Sequence, residues 1–109
     1  MAFDAALAER IRVRLASVPG VTEMKMFGGV GFLLNGNMCA GVWKDALVAR
    51  VGPEQYAAAR KLPGVSEFDV TGRPMTGWVL VEPDAVDSES ALREWLARCV
   101  DYAGRLPPK

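Results

Sequence analysis

The 109-residue sequence contains no histidine. That absence removes the commonest general base, the histidine-dependent triads and the imidazole ligand of most zinc and iron sites. Cysteine is scarce. Cys39 and Cys99 lie far apart with no CxxC spacing, which argues against a metal site or a thioredoxin-like pair and favours two buried free thiols over a disulfide. Net charge is absent as well, because thirteen basic side chains balance thirteen acidic ones. A general attraction to nucleic acid or anionic lipid is therefore not expected. No apolar run approaches the roughly 20 residues that cross a bilayer. The opening MAFDAALAERIRVRLASVPG sets Asp4 and Glu9 among its arginines, where a secretion signal needs an unbroken apolar stretch. It reads as a structural helix; an arginine-bearing mitochondrial presequence is the other reading, opposed by those acids. The expectation is a cytoplasmic protein that does not associate with membranes.

What remains is a chain of ordinary composition and of the length of one domain, expected to span residues 1–109. Phe3, Leu7, Ile11 and Leu15 recur every four residues, the spacing of one helical face, and Pro19-Gly20 ends the run. From Val21 the period falls to two: Met24 and Met26 alternate with Glu23 and Lys25, predicting a strand with one face on a core and the other wet. Gly31 to Leu34 and Asn37 to Val42 flank Asn35-Gly36, a strong signal for a two-residue hairpin turn because both residues tolerate positive φ. A turn at Lys44-Asp45 leads to a fourth strand, Ala46 to Val51, completing an antiparallel meander.

Gly52-Pro53-Glu54 begins a short helix that Pro63-Gly64 must end by Leu62. Glu67 to Thr71 and Trp78 to Val81 read as two more strands joined by the loop GRPMTG. Asp87 or Ser88 can cap the last helix, whose buried stripe is Leu92, Trp95, Leu96, Cys99 and Ala103, and Pro107-Pro108 closes the fold. The expected class is α+β in two layers: an antiparallel sheet of about six strands with helices on one face, in the order α-β-β-β-β-α-β-β-α.

The stretch KMFGGVGFLLNGNMCAGV, Lys25 to Val42, looks most like a ligand motif. A dinucleotide fingerprint needs its glycines to open a helix, and a P-loop needs a GK[ST] ending. Here the glycines precede Phe32-Leu33-Leu34 and a hairpin, and the nearby lysine comes before them. The structural reading is a strand-to-strand corner; a small anion held by the Gly28 and Gly29 amides is the alternative.

The segments MFGGVGFLLNGNMCAGV, KDALVARVGPEQY, FDVTGRPMTGWVLV and LREWLARCVDYAGRLPPK, taken in that order, resemble the amino-terminal domain of the TfoX/Sxy family, named for bacterial competence regulators. The resemblance implies an α+β domain with an antiparallel sheet, a bacterial source, and no established catalytic residues. Larger members carry a second, helical carboxy-terminal domain, whereas this chain stops at Lys109, so that domain's contribution is not expected here.

The site expectations follow. No catalytic residue, metal or cofactor is assigned. The acids Glu82, Asp84, Asp87 and Glu89 surround a helix start and read as a solvated cap. Lys25, Arg50 and Arg73, with Gly28 and Gly29, are the candidate contacts for a carboxylate or phosphate; ordinary salt bridges to Asp45, Glu54 or Asp69 are the plainer role of the three cations. Trp78 and Trp95 read as core, while Trp43, at a turn, is a candidate contact surface. An edge strand is a further contact, with a second copy or a partner peptide. The leading functional expectation is a non-catalytic regulatory or protein-interaction domain with an unidentified protein partner or as a homodimer. A small-molecule or anion-binding domain comes second, and DNA binding, disfavoured by the charge balance, third.

Overall fold

The computed structural model describes residues 4–26, 28–69, 72 and 75–109. Phe3, Thr71 and Arg73 lie outside the described residues. Three helices, α1 (Ala5–Leu15), α2 (Pro53–Arg60) and α3 (Glu89–Gly104), accompany six strands: β1 (Val21–Met26), β2 (Gly29–Leu34), β3 (Asn37–Trp43), β4 (Ala46–Arg50), β5 (Val65–Glu67) and β6 (Trp78–Val81). The sheet order is β1-β2-β3-β4-β6-β5, every pair antiparallel. The expected α+β class and element order are both present.

Local chemistry accounts for the boundaries. The Asp4 carboxylate accepts from the Ala6 and Leu7 amides and so caps α1. Asn35 and Gly36 take φ of 52° and 85°, the left-handed pair that a two-residue hairpin requires. Ser88 caps α3 through a 3.1 Å bond from the Ala91 amide, preceded by a short 3-10 turn, Pro83–Val86. Glu89 does more than cap: it bridges to Arg10 and Arg14 of α1 and ties the two long helices together.

Strand alternation sorts the side chains onto two faces. Val30, Phe32, Leu34, Ala40, Val42, Leu47, Ala49, Val51, Val79 and Val81 turn toward the helices and join Leu7, Ile11, Leu15, Leu92, Trp95, Leu96 and Cys99 in one buried core. The opposite face carries Met24, Met26, Leu33, Met38, Val48, Trp78 and Leu80.

Three expectations need correction. β5 spans Val65–Glu67, earlier than Glu67 to Thr71. Pro63-Gly64 delivers the chain into the ladder at once, with the Glu82 amide donating to the Gly64 carbonyl at 2.8 Å, and Phe68 then leaves to stack on Trp78. β1 has no buried face: Thr22 to Lys25 are all exposed and only Val21 and Met26 are half-covered, because α1 does not extend over this edge. Trp78 is half-buried on the face away from the helices, whereas Trp95 is buried as expected.

Candidate functional site

The glycine stretch resolves into backbone architecture. Gly28 makes the turn between β1 and β2 at φ 77°, and Gly29 already belongs to β2, paired with Met26. A strand follows them, so no helix amino terminus is aimed at a ligand there.

The proposed cations do not converge. Lys25 is exposed on β1 and points to the helix side, whereas Arg50 ends β4 and pairs with Trp78 on the other side. Three strand spacings separate them, about 14 Å across the sheet. Among the described residues neither makes an ion pair, so the salt bridges to Asp45, Glu54 or Asp69 do not form for these two. Arg73 lies outside the described residues.

Arg50 nonetheless sits in a defined setting that its sequence position did not advertise. Its guanidinium carbon lies 5.2 Å from the Trp78 ring centre and 5.4 Å from that of Tyr102 in α3. One N–H donates to the Met38 carbonyl at 3.2 Å. Phe68 backs Trp78, with ring centres 5.9 Å apart. Gly52 makes the enclosure feasible: at φ 91°, a Cβ there would lie 2.4 Å from Tyr102 Cδ1, so only glycine lets α3 come this close to the end of β4. The Val51 and Gly52 amides both donate to the Gly77 carbonyl, which fixes the corner against the start of β6. The signal missed in the sequence is Tyr102, whose partner lies 52 residues earlier.

With two rings within 5.4 Å of its carbon and one N–H on the Met38 carbonyl, the guanidinium has further N–H groups of the kind that donate to a planar carboxylate or a phosphate. The two thiols supply no acid–base chemistry. Cys39 and Cys99 are free and buried. Burial pushes Cys39 up to about 12, the nearby Arg50 charge offsetting only part of this, and burial raises Cys99 further above the ordinary thiol range. Among the described residues no group of three or more Cys, Asp and Glu side chains could hold a metal ion.

The third tryptophan, Trp43, is half-buried at the end of β3 with the Lys44 ammonium 4.6 Å from its ring centre. Hollows beside α1 include two among the described residues. One, about 200 Å³, separates the end of α1 from β1 and is lined by Leu15, Val18, Val21 and Phe32; the other, about 280 Å³, runs between α1 and α3. Among the described residues no helix is long and apolar enough to cross a membrane.

Comparison with curated proteins and with solved structures finds no match. The family comparison does: the model of the TfoX N-terminal domain matches residues 14–103, from the last two residues of α1 almost to the end of α3. That span takes in the whole sheet and the Arg50 enclosure, and the chain therefore belongs to the TfoX N-terminal domain family.

Proposed function

We propose that this chain is a non-catalytic regulatory or protein-interaction domain of the competence-regulator type, acting in the bacterial cytoplasm. Family membership supports the regulatory half of that reading. The observation that carries the interaction half is the sheet surface turned away from the helices. Met24 is 51% exposed there, and Met26, Leu33, Trp78 and Leu80 are only half-covered. Flexible methionines and an amphipathic tryptophan, exposed or half-covered around a buried centre, suit binding to another protein surface.

Capture of partners from lysate of the source cell, with wild-type and Met24→Asp baits side by side, tests the reading. A partner retained by wild type and lost by the variant is the expected result. Turnover of a defined metabolite by the purified protein, abolished by Arg50→Ala, would overturn it.

A second reading, an anion-binding domain, is favoured by the enclosed Arg50 alone. A reproducible thermal stabilisation of several degrees by organic acids or nucleotides, absent from Arg50→Ala, would establish it.

A further inference from the structure

The two edges of the sheet are unequal. β5 is three residues long, follows Pro63-Gly64, and has Glu67 held by Arg60 at 2.9 Å. Such short, tied edges resist pairing with another chain. β1 is the less protected edge: its Glu23 is likewise tied, to Arg12, but it is six residues long, contains no proline, and pairs with β2 in unbroken register.

The ladder shows which of its backbone groups are unused. The Asn35 amide donates to the Gly20 carbonyl at 2.9 Å, so Gly20 and Asn35 form a hydrogen-bonded pair. Because hydrogen-bonded and non-hydrogen-bonded pairs alternate, Thr22, Met24 and Met26 bond inward to β2, and Val21, Glu23 and Lys25 aim their N–H and C=O groups outward.

We propose that a second copy of this chain occupies this edge, β1 pairing antiparallel with β1 about a two-fold axis at Met24. The inference rests on the interaction reading above and names its partner. A two-fold axis perpendicular to the sheet keeps each face on its own side; Thr22 opposite Thr22 would pair only Val21 to Glu23, and the registers centred further along are Glu23 opposite Glu23, Met24 opposite Met24, or Lys25 opposite Lys25. The outer two juxtapose like charges, which is unfavourable for directly opposed residues. The middle one sets Glu23 opposite Lys25 of the second copy, twice by symmetry, on the helix side. These are the residues with outward backbone groups, so each opposed Glu23–Lys25 pair exchanges two backbone hydrogen bonds. On the other side Met24 meets its own copy in the closer, non-hydrogen-bonded position, covering the most exposed apolar side chain of the strand.

Glu23 already receives Arg12 at 2.8 and 2.7 Å. A carboxylate accepts about four hydrogen bonds, so Lys25 of the second copy completes its shell without displacing Arg12. The hollow between α1 and β1 lies beside this edge on the helix side.

Sedimentation velocity on the whole chain over a wide concentration range tests the proposal, with folding of each variant checked by circular dichroism. Wild type is expected to dimerise reversibly. Lys25→Glu alone and Glu23→Lys alone each place like charges in both pairs and weaken the dimer about tenfold or more. A one-to-one mixture of the two variants restores opposite charges and recovers a heterodimer of near wild-type strength. Amide exchange on wild type, which depends on no variant, should show Glu23 and Lys25 protected only at dimer-forming concentrations.

A wild-type monomer at every concentration would sink the proposal and leave the edge to a different protein. So would a dimer indifferent to both charge reversals, or a mixture that stays monomeric. None of these outcomes bears on the interaction reading, which fails instead on metabolite turnover.

Discussion

The two faces of the sheet come from the same strands but obey opposite rules. On the helix side the residues that β2, β3, β4 and β6 turn to the core are chiefly Val, Leu, Phe and Ala, almost wholly buried. Branched side chains with few rotamers pack there against Leu7, Ile11, Leu15, Leu92 and Leu96. On the other side the large residues are Met24, Met26, Leu33, Met38, Val48, Trp78 and Leu80: Val48 and Met38 at the centre are buried, four others are half-covered and Met24 is exposed. Toward the β1 edge of this side, adaptable methionines take the place of the branched side chains of the core. The contrast assigns stability to the helix side and, on the reading proposed above, leaves recognition to the other, and substitutions on each should respond accordingly.

The largest effect belongs to the closed face. Phe32 is 1% exposed, and Phe32→Ala removes a ring from between β2 and the helices. Losses of about 3 to 5 kcal/mol accompany such a change. Denaturant unfolding measures it, and a loss below about 1 kcal/mol would show that the helix side is not the stabilising one.

The same core sets an alkaline limit. Burial raises the pKa of Cys39 from 9.0 to about 12 and that of Cys99 further still, so the folded state keeps both thiols protonated where the unfolded state has lost its protons. Their contribution is intact below about pH 9 and falls away as pH climbs toward the folded pKa values. Stability measured from pH 8 to 11 should decline less steeply in Cys39→Ala/Cys99→Ala than in wild type. At pH 8 neither native thiol should react with a disulfide reagent until the protein is denatured.

At the rim between the faces, Gly28→Ala is a purely conformational test. A Cβ there meets no atom within 4 Å, so the φ of 77° alone resists the change, at about 1 kcal/mol. Equal melting curves for variant and wild type would show that the corner relaxes freely.

How much of this could be read from the sequence divides along the same line. Local chemistry carried the helix side: the four-residue spacing of Leu7, Ile11 and Leu15, the stripe Leu92 to Ala103, and the turn at Asn35-Gly36 all reappear as expected. These signals depend on near neighbours in the chain. The exposure of β1 does not, because the alternation of Met24 with Glu23 is the same whether or not a helix lies over the strand. Nor does the Arg50 enclosure, which needs Trp78 and Tyr102 brought to one end of the sheet by β6 and α3. The expected strand runs on past Glu67 because Phe68, apolar and next to it, continues a strand pattern while its ring turns aside to Trp78.

The smallest effect on stability, and the sharpest test of the contrast, lies at Met24. Its side chain is 51% exposed, so truncation removes little buried area, and threonine keeps a good strand former in place. Met24→Thr should leave unfolding free energy within about 0.5 kcal/mol of wild type, as surface substitutions usually do. Peroxide should convert Met24 to its sulfoxide faster than buried Met38, whose accessibility is 9%, and peptide mapping after timed exposure reports both rates. Because Met24 stabilises so little in the isolated fold, any large consequence of changing it must come from a contact the monomer does not make. Equal oxidation rates for the two sulfurs, which share one face, would mean that its β1 edge is covered like its centre; a Met24→Thr cost approaching that of Phe32→Ala would mean that the open face is packed like the closed one, and the division of labour between them would fail.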